Sequence, residues 1–154
     1  MPILTLKLAN APTSERSTAL ATALVKLTVD ILRKDPQVTK VLIEDVAPER
    51  WSIDGRSVAA LARPIFFLEV RVTHGTNTTS EKARYIAAAF VRLREILGDA
   101  HDASYVHIHE VPAEAWGYGG RTQAERRAAT RGQSRADREG RRAAAGAPAA
   151  APRR

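Results

Sequence analysis

Hydrophobic and polar residues alternate with a period of two in the segments PILTLKL (2–8) and PIFFLEVRV (64–72). In the second segment Phe66, Leu68 and Val70 alternate with Glu69 and Arg71. This alternation is typical of a strand with one buried face. Two further segments, TKVLIEDV (39–46) and YVHIHEV (105–111), are rich in β-branched residues, which favour strands. The pattern therefore predicts four strands.

A helical pattern separates the strands of each pair. Its apolar residues recur every three or four positions, which places them on one face of a helix. The predicted stripes are Leu20, Leu24, Leu27 and Ile31 in the first helix, and Ile86, Phe90, Leu93 and Leu97 in the second. Thr13 and Thr79 are the expected caps, each followed by an acidic residue in the first turn. Pro36 predicts that the first helix ends near residue 34, because proline disfavours helical geometry in the residue before it.

The chain contains one sequence unit twice. Residues 13–32 align with residues 79–97, and residues 44–56 align with residues 109–121. The second alignment pairs the only two tryptophans, Trp51 and Trp116. The turn residues SIDG and GYGG predict a short hairpin at the end of each unit.

The repeat predicts an α+β fold of two fused βαβ units, 2–63 and 64–127. A single-helix crossover makes the two strands of each unit parallel. The units are expected to form one four-stranded sheet with both helices on one face. The other face then needs a partner, which predicts an oligomer.

The positive charge lies at the C-terminal end of the chain. Residues 121–154 hold ten arginines and three acidic residues, which accounts for the whole formal charge of +7. Residues 128–154 are predicted to form a disordered Arg- and Ala-rich tail, since this segment has no aromatic or branched apolar residue. Contact with phosphate is the alternative, but nucleic-acid binding by the tail is not expected.

Composition excludes several classes of protein. The chain has no cysteine, so disulfides, thiolate metal sites and a cysteine nucleophile are excluded. It has neither a signal-peptide pattern nor an apolar run long enough to cross a membrane. A cytoplasmic protein without membrane contact is expected.

A family resemblance rests on three features. They are Pro2 at the head of a βαβ unit, the second such unit, and the W-x-(I/Y)-(D/G)-G ending that both units share. Over residues 2–122 the chain resembles the fused, two-unit members of the 4-oxalocrotonate tautomerase superfamily, whose fold is also that of macrophage migration inhibitory factor. The resemblance implies a homotrimer that needs no cofactor. It also implies keto–enol isomerisation of a small 2-oxo or 2-hydroxy acid, with an amino-terminal proline as general acid and base.

Pro2 has two interpretations. It suits the first residue of a strand, where no hydrogen-bond donor is needed. After removal of Met1 it is instead a free secondary amine, a base whose pKa an apolar wall and a nearby cation would lower. Trp51 and Trp116 are the candidate walls. Pro64 lies inside the chain and is an amide, so one proline site per chain is expected.

Two departures from the family pattern concern the cations that bind the substrate carboxylate. Typical single-unit members have an arginine in the loop after the first strand, where this chain has ANAP (9–12). Arg71 in the second unit is the candidate substitute, or else an ordinary exposed strand charge. Lys40 aligns with a second family arginine and offers a point charge rather than a two-pronged contact.

The last strand carries Tyr105, His107 and His109 on one face. His107 is a candidate substrate contact or second acid/base, and a residue of an interface is the alternative. No metal site is expected, because the only carboxylate considered, Glu110, is on the opposite face. The alternative functions are dehalogenation or decarboxylation by the same superfamily, and a non-catalytic trimeric interaction module.

Overall fold

The computed structural model describes residues 1–61 and 63–145. Residues up to Val111 form one compact unit, and the described residues from Pro112 onward form a second. The first unit contains β1 (Ile3–Leu8), α1 (Ser14–Leu32), β2 (Lys40–Asp45), β3 (Ser52–Ile53), β4 (Arg56–Ser57), β5 (Phe66–Thr73), α2 (Thr79–Leu97) and β6 (Tyr105–Val111). The second contains β7 (Gly117–Tyr118), β8 (Arg121–Thr122) and α3 (Gln123–Ala145). Within the described ranges, no helix combines the length and apolar character that a membrane crossing requires.

The main sheet has the strand order β2-β1-β5-β6. β1 is parallel to β2 and β5 is parallel to β6, as the crossover rule requires. β1 and β5 are antiparallel in the centre, with Leu6 opposite Leu68. The predicted four-stranded sheet built from two βαβ units is confirmed. The unit boundaries 2–63 and 64–127 stay a prediction. The pairing of β1 with β5 joins the residues before and after position 64 in one compact unit.

Both long helices begin at capped residues. The Thr13 side chain accepts a hydrogen bond from the Arg16 N–H at 3.2 Å, so the predicted cap of α1 is confirmed. The prediction of Thr79 as the cap of α2 is wrong, because the cap is Thr78. Thr78 and Glu81 exchange hydrogen bonds between side chain and backbone in a capping box. The Thr78 N–H holds the pKa of Glu81 below its usual value.

The core lies between the two helices and one face of the sheet. Its fully buried members are Leu4, Leu6, Phe66, Leu68, Val70 and Val72 from the strands, and Leu20, Leu24, Tyr85, Ala89 and Leu93 from the helices.

The apolar stripe of α2 differs from the prediction by one residue. Ile86 is 40% exposed, and Tyr85 is fully buried instead. The Tyr85 hydroxyl lies 3.1 Å from Thr28 Oγ1 on α1, which allows its polar end to be buried. Burial raises the pKa of Tyr85 to about 12.

The opposite face of the sheet, hereafter the open face, carries three rows of four residues. The first row is Lys40, Ile3, Arg71 and His109; the second is Leu42, Thr5, Glu69 and His107; the third is Glu44, Lys7, Phe67 and Tyr105. Leu42 and Tyr105 are 48% and 67% exposed. Both helices of this unit pack on the other face, as predicted.

The second unit contains a tight hairpin and a helix. Gly117 is required in the hairpin, because a Cβ there would lie 2.1 Å from the Arg121 carbonyl oxygen. The Arg126 guanidinium carbon lies 3.7 Å from the centre of the Tyr118 ring, a cation–π contact. Arg126 also donates a 2.7 Å hydrogen bond to the Tyr118 carbonyl.

α3 differs from the predicted disordered tail, since the helix continues from Gln123 to Ala145. Alanine and arginine are strong helix formers, which explains a helix without a buried face. Every described side chain between Arg127 and Arg141 is exposed, consistent with the absence of residues able to form a core. The rest of the predicted tail, residues 146–154, lies outside the described residues.

Candidate active site

Pro2 lies buried at the end of the sheet, directly before β1. Its carbonyl accepts a 3.2 Å hydrogen bond from the Lys40 backbone N–H at the start of β2. The next residue, Ile3, lies opposite Lys40 on one side and Arg71 on the other. The topology therefore brings three of the predicted site residues, Pro2, Lys40 and Arg71, to one end of the sheet. The Pro2 nitrogen carries Met1 in this chain and is an amide.

The two cations have different surroundings. Lys40 is exposed, and no ion pair involves it among the residues that the structure describes. The Arg71 side chain is 41% exposed, and its Nη2 lies 3.3 Å from Glu69 Oε2. Arg71 thus retains a solvent-facing surface that can meet an anion, while Glu69 offsets part of its charge.

Glu69 connects Arg71 to the last strand. Its second oxygen, Oε1, lies 3.1 Å from His109 Nε2. His107 lies directly opposite Glu69 in the β5·β6 pair, and its ring centre is 3.8 Å from that of His109. The predicted site residue His107 therefore lies in the second row of the open face, one row away from the row of Lys40 and Arg71.

Glu110 is held on the other face of the strand. Lys82 Nζ lies 3.0 Å from Glu110 Oε2, and the Gly75 N–H donates to Oε1 at 3.3 Å. The Lys82 ammonium holds the pKa of Glu110 below its usual value. This carboxylate is occupied by its own ion pair.

Trp51 lies at the other end of β1. It packs against a cluster of Ala9, Val58 and Ile65, and its carbonyl accepts a 2.9 Å hydrogen bond from the Val58 N–H. Seven residues of extended chain separate Pro2 from Ala9, a distance of about 23 Å. Within one chain Trp51 does not contact Pro2.

The second predicted wall, Trp116, belongs to the second unit. Its carbonyl accepts a 3.0 Å hydrogen bond from the Gln123 N–H, where α3 begins. Its indole Nε1 is buried and has no hydrogen-bond partner within the described part of the chain. A buried donor without a partner is destabilising.

Two cavities lie at the end of β1 where Trp51 is found. One, of about 540 Å³, is lined by Trp51 together with Lys7, Arg50, Phe67 and Tyr105 among others. The other, of about 550 Å³, is lined by residues that include Pro64, Arg16 and Arg63. Arg63 is paired with Asp99 at 3.2 Å. Trp51 and Pro2 therefore lie at opposite ends of β1 in a single subunit.

Sequence reasoning missed Glu69 as a member of the site. The signal was present, because Glu69 and Arg71 alternate on the polar side of β5. The register that sets Glu69 beside His107 follows from strand pairing, which the sequence pattern did not specify.

Comparison with known proteins places these observations in context. Residues 2–61 match the family model described as Tautomerase enzyme. The comparison with curated proteins gave no match.

The fold is that of several solved structures. A native fused 4-OT is 26% identical with a TM-score of 0.70, and the alignment covers 80% of this chain and 97% of that one. A wild-type fused 4-OT described as an asymmetric trimer is 22% identical, with a TM-score of 0.71 and the same coverage. A macrophage migration inhibitory factor-like protein from Entamoeba histolytica is 16% identical with a TM-score of 0.65, covering 79% and 97%.

Proposed function

We propose that this chain, whose residues 2–61 match the Tautomerase family model and whose fold is that of a native fused 4-OT, is an isomerase of the tautomerase superfamily in the fused two-unit form. It interconverts the keto and enol forms of a small 2-oxo or 2-hydroxy acid. Pro2, exposed as a secondary amine by removal of Met1, is the general acid and base.

The observation that carries this proposal is that Pro2 directly precedes Ile3, whose partners on the neighbouring strands are Lys40 and Arg71. A substrate carboxylate bound by these side chains would hold its reacting carbon and oxygen near the amine. The neutral amine takes the proton from the enol oxygen and delivers it to the carbon adjacent to the one that bears this oxygen, which leaves the keto form and a neutral amine.

The same cations support the chemistry electrostatically. Positive charge near an amine disfavours its protonated form, so the amine stays available as a base. Positive charge also stabilises the negative oxygen that forms during proton transfer. No organic cofactor is needed in this mechanism, because both proton positions are on the substrate.

The proposed assembly is a homotrimer of two-unit chains, with the units at 2–63 and 64–127. A fused 4-OT with this fold is described as a trimer, and the open face leaves Leu42 and Tyr105 exposed. Trp51 lies at the end of β1 remote from Pro2, together with a cavity of about 540 Å³. In the proposed assembly Trp51 of a neighbouring subunit closes the apolar side of the Pro2 site.

The test combines intact mass with activity. The natively expressed protein is expected to lack Met1 and to isomerise phenylenolpyruvate or 2-hydroxymuconate. Pro2→Ala is expected to lower kcat by at least about 100-fold, because general acid–base catalysis contributes that much or more.

Pro64→Ala is the matched control, because Pro64 heads the equivalent strand as an amide. Its carbonyl hydrogen bond from the His101 N–H is a backbone contact and survives the substitution. Retention of Met1 in the active protein, or near-normal activity of Pro2→Ala, would refute the assignment.

A further inference from the structure

Glu69, His107 and His109 place one potential metal-ligating atom each within 4.8 Å of one another. Two features of the sheet create this cluster. The period of two puts both histidines of β6 on the open face. The parallel register then sets Glu69 of β5 directly beside His107.

The distances suit two ligands of one ion. Zn²⁺ binds imidazole nitrogen and carboxylate oxygen at about 2.0–2.2 Å, so two ligands at a tetrahedral angle lie about 3.3 Å apart. The observed distance from His109 Nε2 to Glu69 Oε1 is 3.1 Å. The His107 ring is 3.8 Å from the His109 ring, centre to centre, and tilted by 40°. A small rotation of these side chains would direct three ligand atoms to one point.

A neighbouring residue orients the carboxylate. Arg71 holds Glu69 Oε2 at 3.3 Å and leaves Oε1 directed at His109. Ligating carboxylates in proteins are commonly fixed in this way by a hydrogen bond to the second oxygen. The positive charge of Arg71 opposes a bound cation, and the charge of Glu69 offsets it.

We propose that Glu69, His107 and His109 form a binding site for one divalent transition-metal ion of the Zn²⁺ type. Two imidazoles and one carboxylate favour Zn²⁺ and Co²⁺ over Mg²⁺ and Ca²⁺, which prefer oxygen ligands. Three protein ligands leave one position of a tetrahedral ion for a ligand other than these side chains. Glu69 lies on β5, next to β1, and both histidines lie on β6. The ion takes no part in the proton transfer proposed above, although Arg71 contacts Glu69.

The sequence alone argued against a metal site for a reason that the structure removes. That prediction rests on Glu110, which is paired with Lys82 on the other face. Glu69 comes from the neighbouring strand and lies on the same face as the two histidines.

The experiment is a metal titration of the full chain without an affinity tag, after treatment with a chelator. Co²⁺ binding is followed by its visible absorption, and Zn²⁺ binding is measured by calorimetry. One ion per chain is expected. His107→Ala and Glu69→Gln are each expected to weaken binding by at least about tenfold. Glu69→Gln preserves the shape of the side chain, so it tests the proposal even if His107→Ala folds poorly.

His74→Ala is the matched control, because His74 Nδ1 lies 3.9 Å from Glu110 Oε2 without a second imidazole in its pair. This variant should bind like the original chain. If the original chain bound Co²⁺ and Zn²⁺ no more tightly than His107→Ala does, the proposal would be overturned. A stoichiometry of one ion per three chains would also overturn it, since the ligands would then come from different subunits.

Discussion

Arg71 lies opposite Ile3 in the antiparallel pair of β5 and β1, so an arginine of the second repeat lies opposite the residue that follows Pro2 in the first. Residues directly opposite in such a pair have Cβ atoms about 5 Å apart. The first repeat begins with Pro2 and has no arginine in its first loop, whereas the second repeat has Arg71 and begins with Pro64, an internal residue of the chain. Sheet pairing places both groups at one end of the molecule.

Substitution of Arg71 tests this division of roles. A charge-assisted contact contributes about 1.5–3 kcal/mol, so Arg71→Ala should lower kcat/KM by about 10- to 100-fold. Arg71→Lys should recover part of the loss, because the two-pronged geometry is absent. Arg84→Ala, which removes an exposed arginine of α2, is the control. Normal kinetics for Arg71→Ala on carboxylate substrates would leave Lys40 as the carboxylate partner.

Trp51 tests the contribution of a neighbouring subunit. Trp51→Ala should lower activity, since removal of the apolar wall allows water to reach the amine. Mixed oligomers of Trp51→Ala and Pro2→Ala chains should regain part of the activity, because some sites would then combine an intact Pro2 with an intact Trp51. Enzyme assays on refolded mixtures measure this. If mixtures that are shown to exchange subunits regain no activity, Trp51 does not act between chains.

Deletion of residues 131–154 should change neither the oligomeric state nor the turnover of a small substrate. The described side chains between Arg127 and Arg141 are all exposed, so the deletion removes no buried contact of theirs. Size-exclusion chromatography with light scattering and steady-state kinetics provide the measurements. Dissociation of the oligomer would show that the segment contributes to assembly.

Tyr85 predicts a loss of stability at alkaline pH. Its pKa is about 12 in the folded chain and 10.0 in the ordinary state. Between these values the unfolded chain loses the proton first, so the free energy of unfolding falls as the pH rises above about 10. A difference of this size corresponds to on the order of 2–3 kcal/mol at most.

Urea unfolding across this pH range, compared between the original chain and Tyr85→Phe, measures the effect. The free energy of unfolding of the variant should depend less on pH above 10, although the variant also loses the hydrogen bond to Thr28. Tyr105→Phe is the control, because Tyr105 is 67% exposed. An unchanged alkaline slope in Tyr85→Phe would assign the effect to other groups.

The period-two pattern predicted the strands well, because one buried face requires alternation whatever the neighbouring strands are. It placed Leu4, Leu6 and Phe66 correctly in the core. The sequence pattern was a poorer guide to which residues of the helices are buried. The predicted stripe of α2 repeats that of α1 at a fixed offset and therefore includes Ile86 instead of Tyr85. Only the contact with Thr28 shows that the Tyr85 hydroxyl can be buried.

The candidate site stays a prediction, and the sequence supplies only part of it. The family resemblance suggests Pro2 and Lys40, Arg71 is the substitute for the missing loop arginine, and the topology brings the three to one end of the sheet. Glu69 depends on the register between strands that are distant in sequence, and no local pattern specifies that register. The separation of Trp51 from Pro2 also follows only from the three-dimensional path of β1.

Leu6 and Leu68 meet at the centre of the sheet, on an approximate twofold axis that relates the two repeats. In an assembly of identical single units, one inherited substitution would appear on both sides of such an axis. Joining the repeats in one chain removes this constraint, because a substitution in one repeat then leaves the other repeat unchanged. In the proposed mechanism the half that begins at Pro64 needs no general base of its own, because Pro2 supplies it. Fusion thereby allows the two ends of one sheet to evolve separate chemistries.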